Sequence, residues 1–587
     1  MTLDMTNHMG QTRAMPDKAA ISRQSRIDTM RAKGHYSVVV VGAGINGLGA
    51  FHDLCQQGID CLIVDRGDFC SGTSAAPSRM IHGGLKYLET GDFRLVQESV
   101  RERNRLLKNA PHLVRPLEMI LPIETLFGGE IASLCRFLGG SGKLKRRGRM
   151  IVKAGLAAYD FYSRRNRVAP KHRMISGWDL RAAFPGINHS FRYAASYFDA
   201  QITMPERLGV ELAQDGMAAN PGSIALNHCN LMETREGKLV LRDEIAGERH
   251  EIRADLVVNA TGPWIDAANT AMGARSGLIA GAKGSHILLD LPALHDVLAG
   301  RMIYFDPGDG RICLVTSLAG RVLLGSTDIP VEKADDVACD DGEVDYMFAA
   351  LRSVFPKLDV TRSNIVFTYS GVRPLPISNG AHPDAVTRDH SIHVHEPSAE
   401  RPYPILSLIG GKWTTYRAFA AEAGDAVLKR LGKHRRQTTE DLKIGGGRGL
   451  SAQVEDLAGL AGEIESILGG DRARAWALVS RYGSRAREVA SLDVEGGQTI
   501  PGLPGISEAE IVYIAEAEMC ESVSDLVLRR LPLALSGNIT LESAGTLVAI
   551  MARVKGWTPE ENRRQITSLS QTLLCKHRID LKTGKFQ

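Results

Sequence analysis

Apolar residues follow two rhythms along the chain. The stretch SVVVVGAGINGLGAFHDLCQQGIDCLIVD, Ser37 to Asp65, opens on four consecutive valines, the pattern of a strand buried on both faces. Leu48, Phe51, Leu54 and Cys55 then recur at helical spacing, Gly58 stops the helix, and a second apolar strand ends in Asp65. Helical periodicity returns from Phe93 to Leu107, while residues 111–190 are less regular. Another strand ends in LVVNATGPW, and short strands such as HILLD, RICLVTS and RVLLGST dominate from about 283 to 395. Around Gly410 and Gly411 strand gives way to helix, with Tyr416, Phe419, Ala420, Ala423 and Val427 as its apolar stripe. Beyond Gly445–Gly449 the pattern is helical to the last residue, which predicts a separate helical C-terminal domain.

The turn inside the first unit carries the chemistry. Gly42, Gly44 and Gly47 fall on the GxGxxG spacing between strand and helix. Gly42 permits the tight turn, Gly44 lets a pyrophosphate reach the backbone, and Gly47 allows close helix–strand packing. The helix then turns its unpaired N–H groups and positive dipole end toward the anion. Asp65, closing the second strand, can accept hydrogen bonds from both hydroxyls of an adenosine ribose. A lone glycine turn is common; strand, turn, helix, strand and terminal acid in order point to an adenine dinucleotide.

Composition narrows the setting. The 587 residues suffice for two or three domains, and 44% hydrophobic with 24% charged residues is ordinary for a globular protein. With a formal net charge of only +4, any basic partner surface is local. Nine cysteines without a CxxC pair argue for a reducing cytoplasm, against a disulfide scaffold and against a cysteine-ligated metal. His393 and His395 alternate on one strand with no third ligand nearby, so no metal site is expected. Residues 1–34 read as a disordered tail without a signal peptide, and no apolar window reaches the length of a membrane-spanning helix.

Ala260–Thr261–Gly262, following a strand about 200 residues after the fingerprint, is similar to a turn that lies beside FAD in glutathione-reductase-like and D-amino-acid-oxidase-like proteins. Four further stretches narrow the family: SRMIHGGLKYLE from Ser78, KGSHILL from Lys283, TYSGVRPL from Thr368 with TRDH from Thr387, and GGKWTTYR from Gly410. Together they resemble the aerobic, FAD-dependent glycerol-3-phosphate dehydrogenases, in order from about residue 36 to 435 and more loosely beyond.

The resemblance implies an α/β fold: a Rossmann-like FAD-binding domain, an antiparallel-sheet substrate domain and a helical C-terminal domain. It assigns 35–110, 191–280 and 361–440 to the first, 111–190 and 281–360 to the second, and 441–587 to the third. It implies non-covalent FAD, held by Asn46, Thr73, Ser74, His82, Gly83, Gly411 and Lys412 besides the glycine fingerprint, Asp65 and Ala260–Gly262. It implies oxidation of sn-glycerol 3-phosphate to dihydroxyacetone phosphate by hydride transfer to flavin N5, with electrons passed to a membrane quinone. Arg373 and Lys412 would then lie near the carbinol, Lys86 and Arg388 near the phosphate, with Tyr87 and His286 among the polar residues at the reacting carbon. His286 is the candidate proton acceptor, although it reads equally well as a structural histidine. The family has Arg where this chain has Lys86; Pro77, Trp413 (which alters bulk beside the flavin) and Ser326 are further departures, and they bear on the identity of the substrate rather than on the flavin chemistry. A four-carbon polyol phosphate as substrate, oxygen as acceptor, or a flavin-containing module without turnover are the alternatives.

Between Lys143 and Arg173 stand eleven basic residues and one acid, Asp160, around the amphipathic stretch Met150 to Phe161. A basic amphipathic segment suits an anionic lipid surface, and a solvated basic face is the alternative. With a quinone acceptor the expected location is cytoplasmic, peripheral on the inner face of the cytoplasmic membrane. No nucleic-acid module accompanies the tract, and a homodimer is compatible with the family.

Overall fold

In the computed structural model, which describes residues 22–85, 93–126, 149–163, 168, 170–377, 390–494 and 499–587, the valine strand His35–Val41 is central to a mainly parallel sheet. The order is Ser391–His395, Ile405–Ile409, Arg249–Asn259, His35–Val41, Cys61–Val64, Ile224–Leu226. Its alternate valines enter different cores. Val38 and Val40 pack with Leu48, Phe51 and Leu54 of the helix Ile45–Gln56, and Val39 and Val41 face the opposite cluster. His35–Val41 pairs in parallel with Cys61–Val64 on one side and Arg249–Asn259 on the other. The chain thus winds both ways from this strand, which opens a crevice at the strands' carboxyl ends.

Among the described residues the second sheet has ten strands and is antiparallel except where Met302–Phe305 pairs with Val114–Ile123. Its longest ladder joins Ile279–Leu289 to Ile365–Pro376, with His286 opposite Tyr369 and Ala282 opposite Arg373. Tyr193–Ile202 and Ile365–Pro376 belong to this sheet, although they fall inside the stretches 191–280 and 361–440 expected to bind FAD. The reason is pairing: Tyr193–Ile202 matches Val114–Ile123 residue for residue over ten pairs.

The expected disordered tail does not hold for residues 22–34. Arg23–Lys33 is helical, capped by the Ser22 side chain on Ser25 N and closed by Gly34 at φ 62°. Arg23 reaches Asp243 at 2.9 Å, and Ile27 and Met30 are buried. Residues 1–21 lie outside the described residues.

Among the described residues from Val454 onward the elements are helices, the last of them Pro559–His577, followed by a short hairpin of Ile579–Asp580 and Lys585–Phe586. This region shares an apolar core with the second sheet and is joined by buried ion pairs to the helix Pro205–Ala219 and to the loop of Asp68. Arg207, on the helix Pro205–Ala219, forks onto Glu518 at 2.6 and 3.0 Å, with both side chains about 2% exposed. No helix among the described residues is long and apolar enough to cross a membrane.

Breaking one side of such a pair strands a charge in the interior, at a cost of about 3–5 kcal/mol. Glu518→Ala should therefore lower the urea midpoint and expose the C-terminal helices to limited proteolysis. A loss below about 1 kcal/mol would mean that the other acceptors of Arg207 suffice.

Candidate active site

Each fingerprint glycine answers to a different neighbour. Gly42 has φ 97°, and a Cβ there would lie 2.8 Å from the backbone of Ala260 and Thr261. A Cβ on Gly44 would meet Ser74 Oγ at 3.1 Å, the same hydroxyl that accepts Ile45 N–H at 3.0 Å. At Gly47 a Cβ would collide with the carbonyl of Gly42. Asp65 Oδ2 accepts Ala43 N–H at 2.6 Å and Oδ1 accepts Gly67 N–H at 2.9 Å. Each oxygen keeps a second lone pair, which suits two vicinal ribose hydroxyls. Burial pushes this carboxyl up, and the two backbone donors act against the shift.

The opposite end is built by the second sheet. Arg373 donates from Nη1 to Asp328 Oδ1 at 3.0 Å and to Thr327 O at 3.2 Å, and from Nη2 to Ser326 Oγ at 3.2 Å. His286 is 1% exposed, stacks on Tyr369 at 4.9 Å, and has Ser78 Oγ 2.8 Å from Nε2. Burial first, then the charges of Arg373 and Arg79, push its pKa down to about 3, so the ring is neutral at neutral pH.

Both ends open into one cavity of about 1790 Å³, above the usual range for a single small-molecule site and roomy enough for a dinucleotide with a second molecule. On its wall lie Gly42, Gly44, Asn46, Asp65, Thr73, Ser74, His82, Ala260, Thr261, Gly262, His286, Arg373, Gly411 and Lys412. Gly47 and Gly83 are not there. Gly47 underlies the wall, and Gly83 donates its N–H to Asp199 Oδ1 at 2.9 Å. Asn46 Nδ2 donates to Gly410 O at 3.0 Å, and a Cβ on Gly411 (φ 87°) would lie 2.5 Å from the same amide. Thr73 Oγ1 bonds Val372 O at 2.6 Å, so the loop carrying Thr73 and Ser74 is stitched to the strand of Arg373. Lys86, Tyr87 and Arg388 fall outside the described residues.

The departures have local accounts. Trp413 donates to Ser74 O at 3.2 Å, Pro77 O accepts the Tyr369 hydroxyl at 3.0 Å, and Ser326 accepts from Arg373. Sequence reasoning missed Ser78, Asp328 and Tyr369 as site residues, although all three stand in or beside the quoted motifs. Among the described residues Asp68, His228 and Asp525 bring one ligand atom each to within 4.8 Å of one another. Arg529 and Arg530 already neutralise this group.

A glycine cradle that any Cβ would fill, an acid with free lone pairs and a wall reaching to Arg373 fit FAD. The model of the FAD-dependent oxidoreductases matches residues 37–416, and that of the C-terminal domain of alpha-glycerophosphate oxidase matches 437–562. A glycerol-3-phosphate dehydrogenase of Synechocystis is 32% identical over 90% of this chain and 95% of its own. The chain belongs to the FAD-dependent glycerol-3-phosphate dehydrogenase family. A D-erythritol 1-phosphate dehydrogenase of Brucella abortus is 30% identical over 84% of this chain and 93% of its own. The fold matches the glycerol-3-phosphate dehydrogenase of Bacillus halodurans with a TM-score of 0.74 at 24% identity, covering 95% of this chain and 98% of that one. This family member is accordingly an enzyme, an FAD-dependent oxidoreductase of mixed-sheet fold with a helical C-terminal domain.

Asp65→Ala removes the carboxylate that orders Ala43 and Gly67. Charge-assisted bonds contribute about 1.5–3 kcal/mol each, so FAD retention should fall at least ten-fold. The ratio of flavin to protein absorbance after gel filtration reads the effect. Full occupancy in the variant would remove Asp65 from the cofactor site.

Proposed function

We propose that this enzyme oxidises sn-glycerol 3-phosphate to dihydroxyacetone phosphate and passes the electrons to a membrane quinone. The observation that carries the reading is the pairing of a buried neutral imidazole, His286, with a tethered guanidinium, Arg373, on the cavity wall. Bound non-covalently, FAD supplies the hydride acceptor. Arg373 offers fixed positive charge to the substrate and, held by Asp328, keeps its plane as substrate binds. Lys412 adds a second cation on the same wall. His286, uncharged until substrate arrives, takes the hydroxyl proton as the carbinol carbon loses its hydride. Lys86 and Arg388 are assigned to the phosphate and Tyr87 to the reacting carbon on the family resemblance.

A longer polyol phosphate is the second reading. It is favoured by the Brucella relative and by Lys86, whose ammonium cannot fork onto phosphate as Arg does. Anaerobic bleaching of the flavin by glycerol 3-phosphate, compared with four-carbon polyol phosphates, decides between them. Bleaching by neither sinks both. Peroxide release in air would replace the quinone by oxygen.

Arg373→Ala should leave FAD bound yet slow flavin reduction by a factor of ten or more, since a charge-assisted contact contributes about 1.5–3 kcal/mol. Unchanged reduction kinetics would make Arg373 structural.

Support for a peripheral position on the cytoplasmic face of the membrane comes from the helix Arg149–Ser163, where Met150 and Phe161 are 51% and 56% exposed. Leu126 and Phe93 add exposed apolar surface, while Lys145, Arg146 and Arg147 lie outside the described residues. The protein should sediment with vesicles containing anionic lipid, and less so in high salt as screening shortens. Replacing Lys145, Arg146, Arg147 and Arg149 together should weaken the association. Equal binding to neutral vesicles in high salt would leave only an apolar anchor.

A further inference from the structure

The imidazole of His286 is confined on three sides. Tyr369 covers one face, with the rings 16° from parallel. A Cβ on Gly325 would collide with Cδ2, so backbone closes that edge. Ser78 Oγ meets Nε2 at 2.8 Å. Nδ1 is buried and has no hydrogen-bond partner among the described residues, in a ring that lines the cavity.

A neutral imidazole has one N–H and one lone pair, so the bond at one nitrogen decides what the other can do. If Ser78 were the donor to Nε2, the N–H would sit on Nδ1, buried without an acceptor, an arrangement that proteins almost never keep. With Nε2–H donating to Ser78 Oγ, the unpartnered atom is a lone pair, which is less costly to leave unmet.

We propose that Ser78 is a positioning residue that fixes the tautomer of His286, with Nε2–H donating to Ser78 Oγ so that Nδ1 presents the lone pair that accepts the carbinol proton. This rests on His286 being the proton acceptor. Bound FAD would supply the acceptor for the hydride that leaves the carbinol carbon; the O–H bond breaks toward Nδ1 as the carbonyl forms. The substrate loses two electrons and two protons' worth of hydrogen, and His286 becomes the imidazolium. The Nε2–H···Oγ bond then becomes charge-assisted, so Ser78 stabilises the proton-loaded ring as well.

Two measurements on the holoenzyme test the assignment. Nitrogen-15 spectra of histidine-labelled protein, with His286 identified by its loss in His286→Asn, should show a protonated Nε2 and a bare Nδ1. In Ser78→Ala the two tautomers should mix, while Ser78→Thr should keep the wild-type pattern. Anaerobic flavin reduction by glycerol 3-phosphate should slow about ten-fold in limiting rate for Ser78→Ala, with KM within two-fold, and recover in Ser78→Thr; the loss stays below the roughly hundred-fold or more that a whole general base contributes. A proton on Nδ1 in the wild type, or wild-type tautomer and rate in Ser78→Ala, overturns the proposal. Unaltered reduction in His286→Asn instead overturns the parent reading of the base, and the spectra still report what Ser78 does to the ring.

Discussion

Asp68 holds the two ends of the site in one frame. It stands three residues after Asp65, is 1% exposed, and takes Arg530 on both oxygens at 2.7 and 3.0 Å. Arg529 adds a third bond at 2.6 Å, and Asn227 a fourth at 2.8 Å. Burial alone would raise this carboxyl, yet Arg530 and Arg529 hold it below its ordinary value. The loop that leaves Asp68 carries Thr73, Ser74 and Ser78 in turn. A single buried carboxylate thereby ties the turn that carries Asp65, the loop leading to Ser78 and the C-terminal domain together. Each guanidinium supplies several donors in a fixed plane, so the register of the C-terminal domain on the first sheet is specified by direction as well as by charge.

That tie gives the C-terminal helices a part in the cavity itself. Leu528 and Arg529, from the π-helical turn Leu526–Arg530, share the wall with Thr572, Lys576 and His577 from the helix Pro559–His577. The widened turn brings neighbouring residues to different duties, since Arg529 and Arg530 converge on Asp68 while Leu528 faces the cavity. His577 stacks on Phe367 at 4.3 Å and bonds Thr368 O at 2.7 Å. The helical domain is thus fastened at the strand that also carries Tyr369 and Arg373. Its loosening would be felt at the site without any change in a residue that touches substrate.

What the chain discloses in its sequence is what local rules determine. Val38 to Asp65 could be read because strand, turn, helix and acid are consecutive, and each glycine has a nearby steric reason. The helix Arg23–Lys33 was hidden because it buries few apolar residues; its order comes from capping and from ions as distant in sequence as Asp243. Tyr193–Ile202 gives no local sign of which sheet it joins, since only its partners decide that. The same holds for the site. Arg373 and His286 stood out through motif contexts, but Ser78 and His286 are 208 residues apart, and Arg373 and Asp328 are 45. No spacing rule reaches across such intervals.

The juxtaposition of His286 and Arg373 is finally a matter of register. Gly284 lies opposite Gly371, and His286 opposite Gly325 on one side and Tyr369 on the other. A Cβ on Gly284 would strike the Arg373 guanidinium, one on Gly325 would strike His286, and one on Gly371 would come within 2.7 Å of Ala76. Two of these glycines, Gly284 and Gly325, give up side chains so that the guanidinium and the imidazole can lie against the sheet, and Gly371 admits the loop of Thr73 and Ala76. A slip of one residue would turn every side chain of the strand to the other face. The buried apolar neighbours Ile287, Leu288 and Leu289 resist that slip, because Ile287 and Leu289 enter one core and Leu288 another. The arrangement of these two side chains is therefore held by the ordinary alternation of a buried strand, and the strength of that alternation is what lets so few polar contacts fix the ring.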